Sequence, residues 1–199
     1  GVTVASALLV DYVLTVAVSI SAGVAQITSA FPALLPYRVT LAVGIIVVMT
    51  IINMRGVRES GLIFSIPTYF FLSMIFLTLI VGGVRYFTGT LPDVTGVEPV
   101  ESGVQALTLF LVLRAFSSGC TALTGIEAIS DGITAFKEPR SRNAATTLTW
   151  MAGILIVMFI GVTLLSRAVQ ALPSETETVI SQIARTVYSQ GSPLYLLML

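Results

Sequence analysis

Long apolar runs separated by short polar stretches dominate the residue pattern of this chain. A helix that spans a membrane needs about 20 mostly apolar residues, and several runs reach that length. The polar stretches between them show no sign of a second domain. The pattern therefore predicts an all-α integral membrane protein with a single transmembrane domain over residues 1–199. The predicted spans are residues 4–31, 37–54, 62–87, 103–133 and 144–169, and a further span begins at residues 193–199.

The composition supports a membrane protein and excludes several other classes. Hydrophobic residues make up 55% of the chain, charged residues 10%, and the mean hydropathy is +0.97, whereas soluble domains have about 25% charged residues. A net charge of zero suggests no nucleic-acid partner. The chain has no histidine and a single cysteine, Cys120, so neither a disulfide framework nor a cysteine or histidine metal site is expected. Without a nucleophile–base pair, neither an enzyme nor a cofactor is predicted.

The ends of the chain suggest that it is part of a longer protein. It begins at Gly1 inside an apolar run, and it stops at Leu199 where another run has just started. Any functional site in this stretch is therefore expected to lack some of its walls.

The first span carries a stripe of polar side chains. Tyr12, Thr15 and Ser19 follow the i, i+3, i+7 spacing of one helix face, and the rest of the span is mostly Val, Leu and Ile. Such a stripe is expected to face protein or a cavity rather than lipid. The alternative is hydrogen bonding between helices, worth about 0.6 kcal/mol on average. Asp11 is interpreted as an interfacial or snorkelling charge in preference to an acid that handles protons.

The fourth span predicts a helix that is interrupted within the membrane. Four residues of low helix propensity or small size, Ser117, Ser118, Gly119 and Gly125, lie in it. A membrane helix breaks only where its freed backbone groups line a protein or water-filled cavity, and secondary transporters bind substrates and ions at such breaks. Glu127 adds an ionisable group, which by default marks a functional site.

The same residues also permit a purely structural interpretation. Thr124 and Glu127 fit a Thr-x-x-Glu capping box that starts a second half-helix, and small residues allow helices to pack closely. The two interpretations are compatible, because a half-helix that needs a cap is part of a helix that has broken.

The loops predict an orientation and one surface helix. Arg55 and Arg58 follow the second span and three further basic residues precede residue 144, so both loops are predicted to be cytoplasmic. Pro67 is placed near the start of the third span, where a missing N–H costs least. Ser174-Glu-Thr-Glu177 is a second capping-box signal. It predicts a short amphipathic helix on the surface, ending near Tyr188.

Three sequence segments carry a resemblance to the amino acid–polyamine–cation (APC) transporter superfamily. They are Asn53-x-Arg-Gly-Val-Arg-x-Ser60, Leu123-Thr-Gly-Ile-Glu-Ala128 and Phe136-Lys-Glu-Pro139. The first resembles the cytoplasmic loop between that superfamily's fourth and fifth helices, and the other two its sixth helix and the loop that follows. The resemblance implies a LeuT-type inverted-repeat helix bundle with a broken sixth helix. The chain would supply the third to seventh helices and the start of the eighth.

Within this superfamily the chain resembles potassium importers of the KUP family. Their potassium site uses hydroxyl side chains of the third and sixth helices, together with an acid and a tyrosine of the first helix. Tyr12, Thr15 and Ser19 match the third-helix pattern, Thr124 the sixth-helix threonine, and Glu127 the nearby acid. The resemblance implies a K⁺ site at these hydroxyls and potassium uptake coupled to protons.

The same resemblance sets the wider expectations. It implies a multi-pass secondary active transporter in the plasma membrane, surrounded by lipid bilayer, and a homodimer. The first helix is absent here, so an amino acid permease of the same superfamily, with an amino acid in place of potassium and proton, stays open as the alternative. A non-transporting scaffold or receptor is disfavoured by the polar fourth span.

Overall fold

The computed structural model describes residues 1–54, 57–97, 108–120, 125, 129–130 and 132–199, and only the backbone of residues 57–60. These residues form helices, turns and loops, and none of them lies in a strand. The all-helical prediction is thus confirmed. The helices are α1 Val2–Ala30, α2 Arg38–Asn53, α3 Val57–Phe87, α4 Leu109–Cys120, α5 Arg140–Ala168, α6 Val179–Tyr188 and α7 Pro193–Met198, with 3₁₀ turns at Pro32–Tyr37 and Ile133–Ala135.

Four helices are long and apolar enough to cross a membrane, and they coincide with four of the predicted spans. α1 alone has 29 residues, about 43 Å at 1.5 Å per residue, compared with about 30 Å of bilayer hydrocarbon. Of the predicted span 103–133, the described part includes the 12-residue helix α4. The membrane-length segments are Val2–Ala30, Pro32–Asn53, Gly61–Phe87 and Arg140–Ala168.

The chain forms two compact units. The first consists of Gly1–Val100 with Gly161–Leu199, and the second of Glu101–Ile160. The first unit contains α1, α2, α3, α6 and α7 together with the C-terminal end of α5. The single transmembrane domain that the sequence suggests stays a prediction.

Helix α3 begins earlier than predicted. It starts at Val57 rather than near residue 62, so Pro67 lies in the helix interior and not in its first turn. Arg58 and Glu59 have good helix propensity, and polarity alone does not end a helix. The hydroxyls of Ser65 and Thr68 donate to Leu62 O and Phe64 O at 2.8 and 2.7 Å. They flank the turn from which Pro67 removes one backbone hydrogen bond.

The predicted capping box at Ser174 is wrong. α6 begins at Val179, and its N-cap is Thr178, whose hydroxyl accepts from Ser181 N at 3.2 Å. The Ser174 hydroxyl instead accepts from Thr176 N at 3.3 Å, a local serine turn that competes with helix formation. Glu177, the presumed box partner of Ser174, binds Ser181 and Arg185 at 2.9 and 3.2 Å.

The prediction that this helix lies on the surface is also wrong. Six of its ten residues are buried. Its apolar side chains Ile183 and Val187 form a core cluster with Leu165 and Val169 near the C-terminal end of α5. Its polar side chains are buried because hydrogen bonds satisfy them, which is the condition on which polar groups enter a protein interior.

Gln182 provides the clearest case of a buried polar side chain in this helix. It is fully buried. Its Nε2 donates to Leu172 O at 2.7 Å and to Glu177 O at 3.3 Å, and its Oε1 accepts from Leu172 N at 3.0 Å. One side chain therefore fixes the loop that leads from α5 into α6.

Replacing Gln182 by leucine is expected to destabilise the protein by about 2–4 kcal/mol, because each buried polar group left unpaired costs about 1–3 kcal/mol. Thermal unfolding of the full-length protein in detergent would measure the change. Gln190→Leu is the control, because Gln190 is exposed. Equal melting temperatures for the two variants would contradict the role assigned to Gln182.

Candidate functional site

The predicted hydroxyl stripe lies on one face of α1. Tyr12, Thr15 and Ser19 are all within the helix, and at 3.6 residues per turn they fall within an arc of about 60°. Thr15 is half-buried and Ser19 is exposed, while 43% of Tyr12 is exposed. This stretch of α1 therefore presents three neighbouring side-chain oxygens along a helix that is otherwise mainly aliphatic.

The hydroxyls of Thr15 and Ser19 are not bonded to their own helix. Further along α1, Thr28 and Ser29 donate to Val24 O and Ala25 O at 3.1 and 2.7 Å, the usual arrangement for a hydroxyl inside a helix. Thr15 and Ser19 make no hydrogen bond to a residue that the structure describes, a property that Ser21 shares. Their oxygens are thus available to a ligand.

Asp11 belongs to the same part of α1, and the sequence analysis did not include it in the site. It is the tenth residue of the helix, about 14 Å along the axis from Val2. It is half-buried and lies one turn before Thr15, which is also half-buried. Residues four apart on a helix are neighbours, so the spacing puts Asp11 and Thr15 on adjacent turns of the same side of α1. The i, i+4 spacing of Asp11 and Thr15 is the signal in the sequence that could have indicated Asp11 as a site residue.

Hydrogen bonds to Thr178 hold the C-terminal end of α1, on the face that carries the stripe. Gln26 follows Ser19 by seven residues, on the same face. Its Oε1 accepts from the hydroxyl of Thr178 at 2.8 Å, and Ser29 Oγ accepts from Thr178 N at 3.0 Å. The N-cap of α6 therefore holds the helix that carries the stripe.

An ion pair lies next to this contact between α1 and the N-terminus of α6. Arg185 donates to Glu177 Oε2 at 3.2 Å, and their side chains are only 17% and 19% exposed. Arg185 also donates to Thr95 O at 2.9 Å, and Ser181 Oγ lies 3.2 Å from the Tyr195 hydroxyl. Partly buried pairs of this kind need such additional hydrogen bonds to offset the loss of water.

The other half of the predicted site is described only in part. Ser117, Ser118 and Gly119 lie in the last turn of α4, which runs without interruption to Cys120. Residues 121–124 and 126–128, including Thr124 and Glu127, lie outside the described residues. The interruption predicted between Ser117 and Gly125 therefore does not include Ser117–Cys120, and beyond Cys120 it stays a prediction.

Gly125 is helical and exposed. A Cβ at this position would meet Met151 Sδ at 4.0 Å, which is ordinary van der Waals contact. The second unit thus brings Gly125 close to the first half of α5. Among the described residues no group of three or more acidic, cysteine or histidine side chains could hold a metal ion.

Comparison with known proteins shows the family. The sequence model described as "Amino acid permease" matches residues 1–191, nearly the whole chain. The chain belongs to this amino acid permease family, which is part of the APC superfamily. It is also 45% identical over 197 residues to the potassium transporter KimA of Bacillus subtilis (strain 168). That alignment covers 99% of this chain and 32% of KimA, so the chain spans about a third of the length of this relative.

These findings confirm the resemblance inferred from the sequence segments. They also agree with the multi-pass membrane architecture, since four helices of membrane length occur in the described part of the chain. A relative that is a transporter is consistent with the prediction that the protein is not an enzyme.

Proposed function

We propose that the full-length protein is a secondary active transporter that imports potassium together with protons across the plasma membrane. The observation that carries the proposal is the 45% identity to a potassium transporter over 99% of the chain. The family adds the expectation of a LeuT-type inverted-repeat fold with a broken helix, and a homodimer is part of the same proposal. We expect the protein to be surrounded by lipid bilayer and to have no nucleic-acid partner.

The chemistry of α1 suits a potassium ion. Potassium is held by neutral oxygens that replace its water shell, as carbonyl oxygens do in potassium channels. Thr15 and Ser19 provide hydroxyl oxygens that are not bonded to the helix. We assign the ion to Tyr12, Thr15, Ser19 and Thr124, of which Thr124 lies outside the described residues. Ser117, Ser118, Gly119 and Gly125 would frame the site at the break.

Two acids are candidates for proton coupling. A carboxyl group at membrane depth is costly to charge, and binding a proton removes that cost. Glu127 is the acid that the sequence indicates, and the second candidate is Asp11, which precedes Thr15 by four residues in α1. Proton uptake and release at either group would follow the exposure of the cavity to the two sides of the membrane.

The alternative function is amino acid transport, which the description of the matching family favours. A substrate carboxylate would need a half-helix N-terminus, and its ammonium group would need carbonyl oxygens. The hydroxyl stripe of α1 favours the ion, because neutral oxygens supply what a potassium ion requires.

Rubidium uptake in a potassium-uptake-deficient host distinguishes these functions. The full-length protein is expected to restore growth at limiting potassium and to take up rubidium faster at lower external pH. The control is the host with an empty vector. Accumulation of a labelled amino acid without rubidium uptake would show that the potassium proposal is wrong and that the permease alternative is right.

The orientation can be tested by cysteine labelling. The basic loops, one with Arg55 and Arg58 and one with Lys137, Arg140 and Arg142, are expected to be cytoplasmic. In a Cys120→Ser background, cysteines at Ser60 and Asp93 should react from opposite sides of sealed cells. Asp93 lies in the loop after α3 and is exposed. Gly96 in the same loop is less suitable, because its φ of +72° disfavours a side chain. Labelling from the same side would contradict the orientation.

A further inference from the structure

An apolar groove runs between the C-terminal halves of α3 and α5 in the first unit. Its volume is about 540 Å³, and apolar side chains such as Leu79 and Leu164 line most of it. Both helices are membrane-length, and the groove lies near the ends of both, at Phe87 and Ala168. It is separate from the hydroxyl stripe of α1, since none of its lining residues belongs to that helix.

Neighbouring glycines explain why the groove is open although the two helices pack closely. A Cβ at Gly82 would lie 2.7 Å from Leu165 Cδ2, and one at Gly161 would lie 2.6 Å from Leu79 Cδ1. These glycines are therefore needed for the contact, as small residues are in membrane helix pairs. A Cβ at Gly83 meets no atom within 4 Å. Gly83 lines the groove, and its missing side chain contributes to the open space.

One end of the groove carries a positive charge without a partner among the described residues. Arg167 lines the groove, is exposed, and makes no hydrogen bond or ion pair through its side chain to any residue that the structure describes. Arg85, at the same end of α3, differs, because its guanidinium donates to Thr90 O at 3.0 Å and to Thr186 O at 3.3 Å. Within the described part of the chain, Arg167 is therefore the arginine of this groove that can accept a further partner.

Two aromatic rings line the same groove as Arg167. Tyr86 and Phe87 both line the groove, and their rings meet edge to face with centroids 5.6 Å apart. Aromatic side chains near helix ends are characteristic of the level of lipid headgroups. The groove thus combines an apolar channel between two membrane-length helices with two aromatic rings and an arginine that has no partner among the described residues.

We propose that this groove binds one anionic phospholipid. An acyl chain would lie along Leu79, Gly83 and Leu164, and the headgroup phosphate would accept hydrogen bonds from the Arg167 guanidinium. Arginine suits phosphate because its planar fork can donate two parallel hydrogen bonds. A second transmembrane helix fits less well, because with its side chains it is about 10 Å wide.

The test uses the full-length protein in detergent, with bound lipid counted by native mass spectrometry after addition of phosphatidylglycerol or phosphatidylcholine. The wild type is expected to retain one phosphatidylglycerol in preference to phosphatidylcholine. Arg167→Gln should weaken that retention by about 5-fold, the effect of losing roughly 1 kcal/mol of hydrogen bonding to the phosphate. Gly83→Leu should abolish it by filling the groove, because the structure leaves room there for a side chain.

Two matched controls separate a specific site from general effects. Arg38→Gln removes another exposed arginine, at the start of α2. Gly44→Leu adds the same side chain at a position where a Cβ meets nothing within 4 Å, outside the groove. Both should retain the lipid as the wild type does, and all variants should elute as the wild type does on size exclusion.

Equal retention by Arg167→Gln and the wild type would overturn the proposal. Equal binding of the two lipids would do the same, as would an equal loss in Arg38→Gln. A changed oligomeric state in Gly83→Leu, with lipid retention intact, would assign the groove to a protein contact and would also overturn it. The measurement does not depend on the transported substrate, so its outcome is independent of the potassium proposal.

Discussion

Thr15→Val is expected to weaken potassium binding by roughly 5- to 150-fold in the full-length protein. Valine keeps the shape of threonine but removes the hydroxyl oxygen, and losing an oxygen that contacts a charged ligand costs about 1–3 kcal/mol, at about 1.4 kcal/mol per tenfold. Ser19→Ala and Thr124→Val should act in the same direction. The measurement is the concentration dependence of rubidium uptake, with the amount of inserted protein determined in parallel.

The matched control is Thr50→Val. Thr50 also lies in a membrane helix, but its hydroxyl donates to Ile46 O at 2.7 Å and is exposed. Its loss should therefore leave the affinity unchanged. If Thr15→Val and Thr50→Val had the same rubidium affinity as the wild type, the assignment of the α1 stripe to the ion would be refuted. A loss of maximal rate without a change in affinity would also contradict it.

The membrane helices could be predicted from the sequence because a long apolar run is a strong and local signal. Their ends were less certain. α3 begins at Val57, since Arg58 and Glu59 are good helix formers. Hydropathy marks where a helix leaves the hydrocarbon, but the helix itself ends only where capping or backbone geometry stops it.

Helix α6 shows why the packing was harder to predict. The sequence pattern indicated Ser174 as the cap, whereas the N-cap in the structure is Thr178, four residues later. The burial of the helix depends on partners distant in sequence, such as Gln26 of α1 and Leu165 of α5. A polar helix is expected at the surface unless those partners are known, because burial of polar groups requires hydrogen bonds.

For the site, the roles of the stripe and of Asp11 stay predictions, although the structure shows the local surroundings of both. Tyr12, Thr15 and Ser19 share a face of α1 by their spacing alone. That Thr15 and Ser19 do not bond to their own helix required coordinates, because most helical hydroxyls do so.

Glu127→Gln is expected to abolish the pH dependence of potassium uptake, which is the largest qualitative change predicted for this protein. Glutamine can still serve a capping box, so a helix start that depends on residue 127 would be preserved. It cannot bind and release a proton, however, so uptake driven by a proton gradient should be lost. Rubidium uptake into proteoliposomes, with and without an inward proton gradient, measures the coupling directly.

The same measurement includes two further variants, Asp11→Asn as a second test of coupling and Glu138→Gln as a control. Asp11 lies one turn before Thr15 in α1, so Asp11→Asn should reduce coupling if both acids share the proton. Glu138→Gln is the matched control, because the Glu138 side chain is 76% exposed and pairs with Arg140 at 3.0 Å. It should respond to the gradient as the wild type does. Normal gradient dependence in Glu127→Gln would leave that residue only a structural role, and a loss confined to Asp11→Asn would assign coupling to α1.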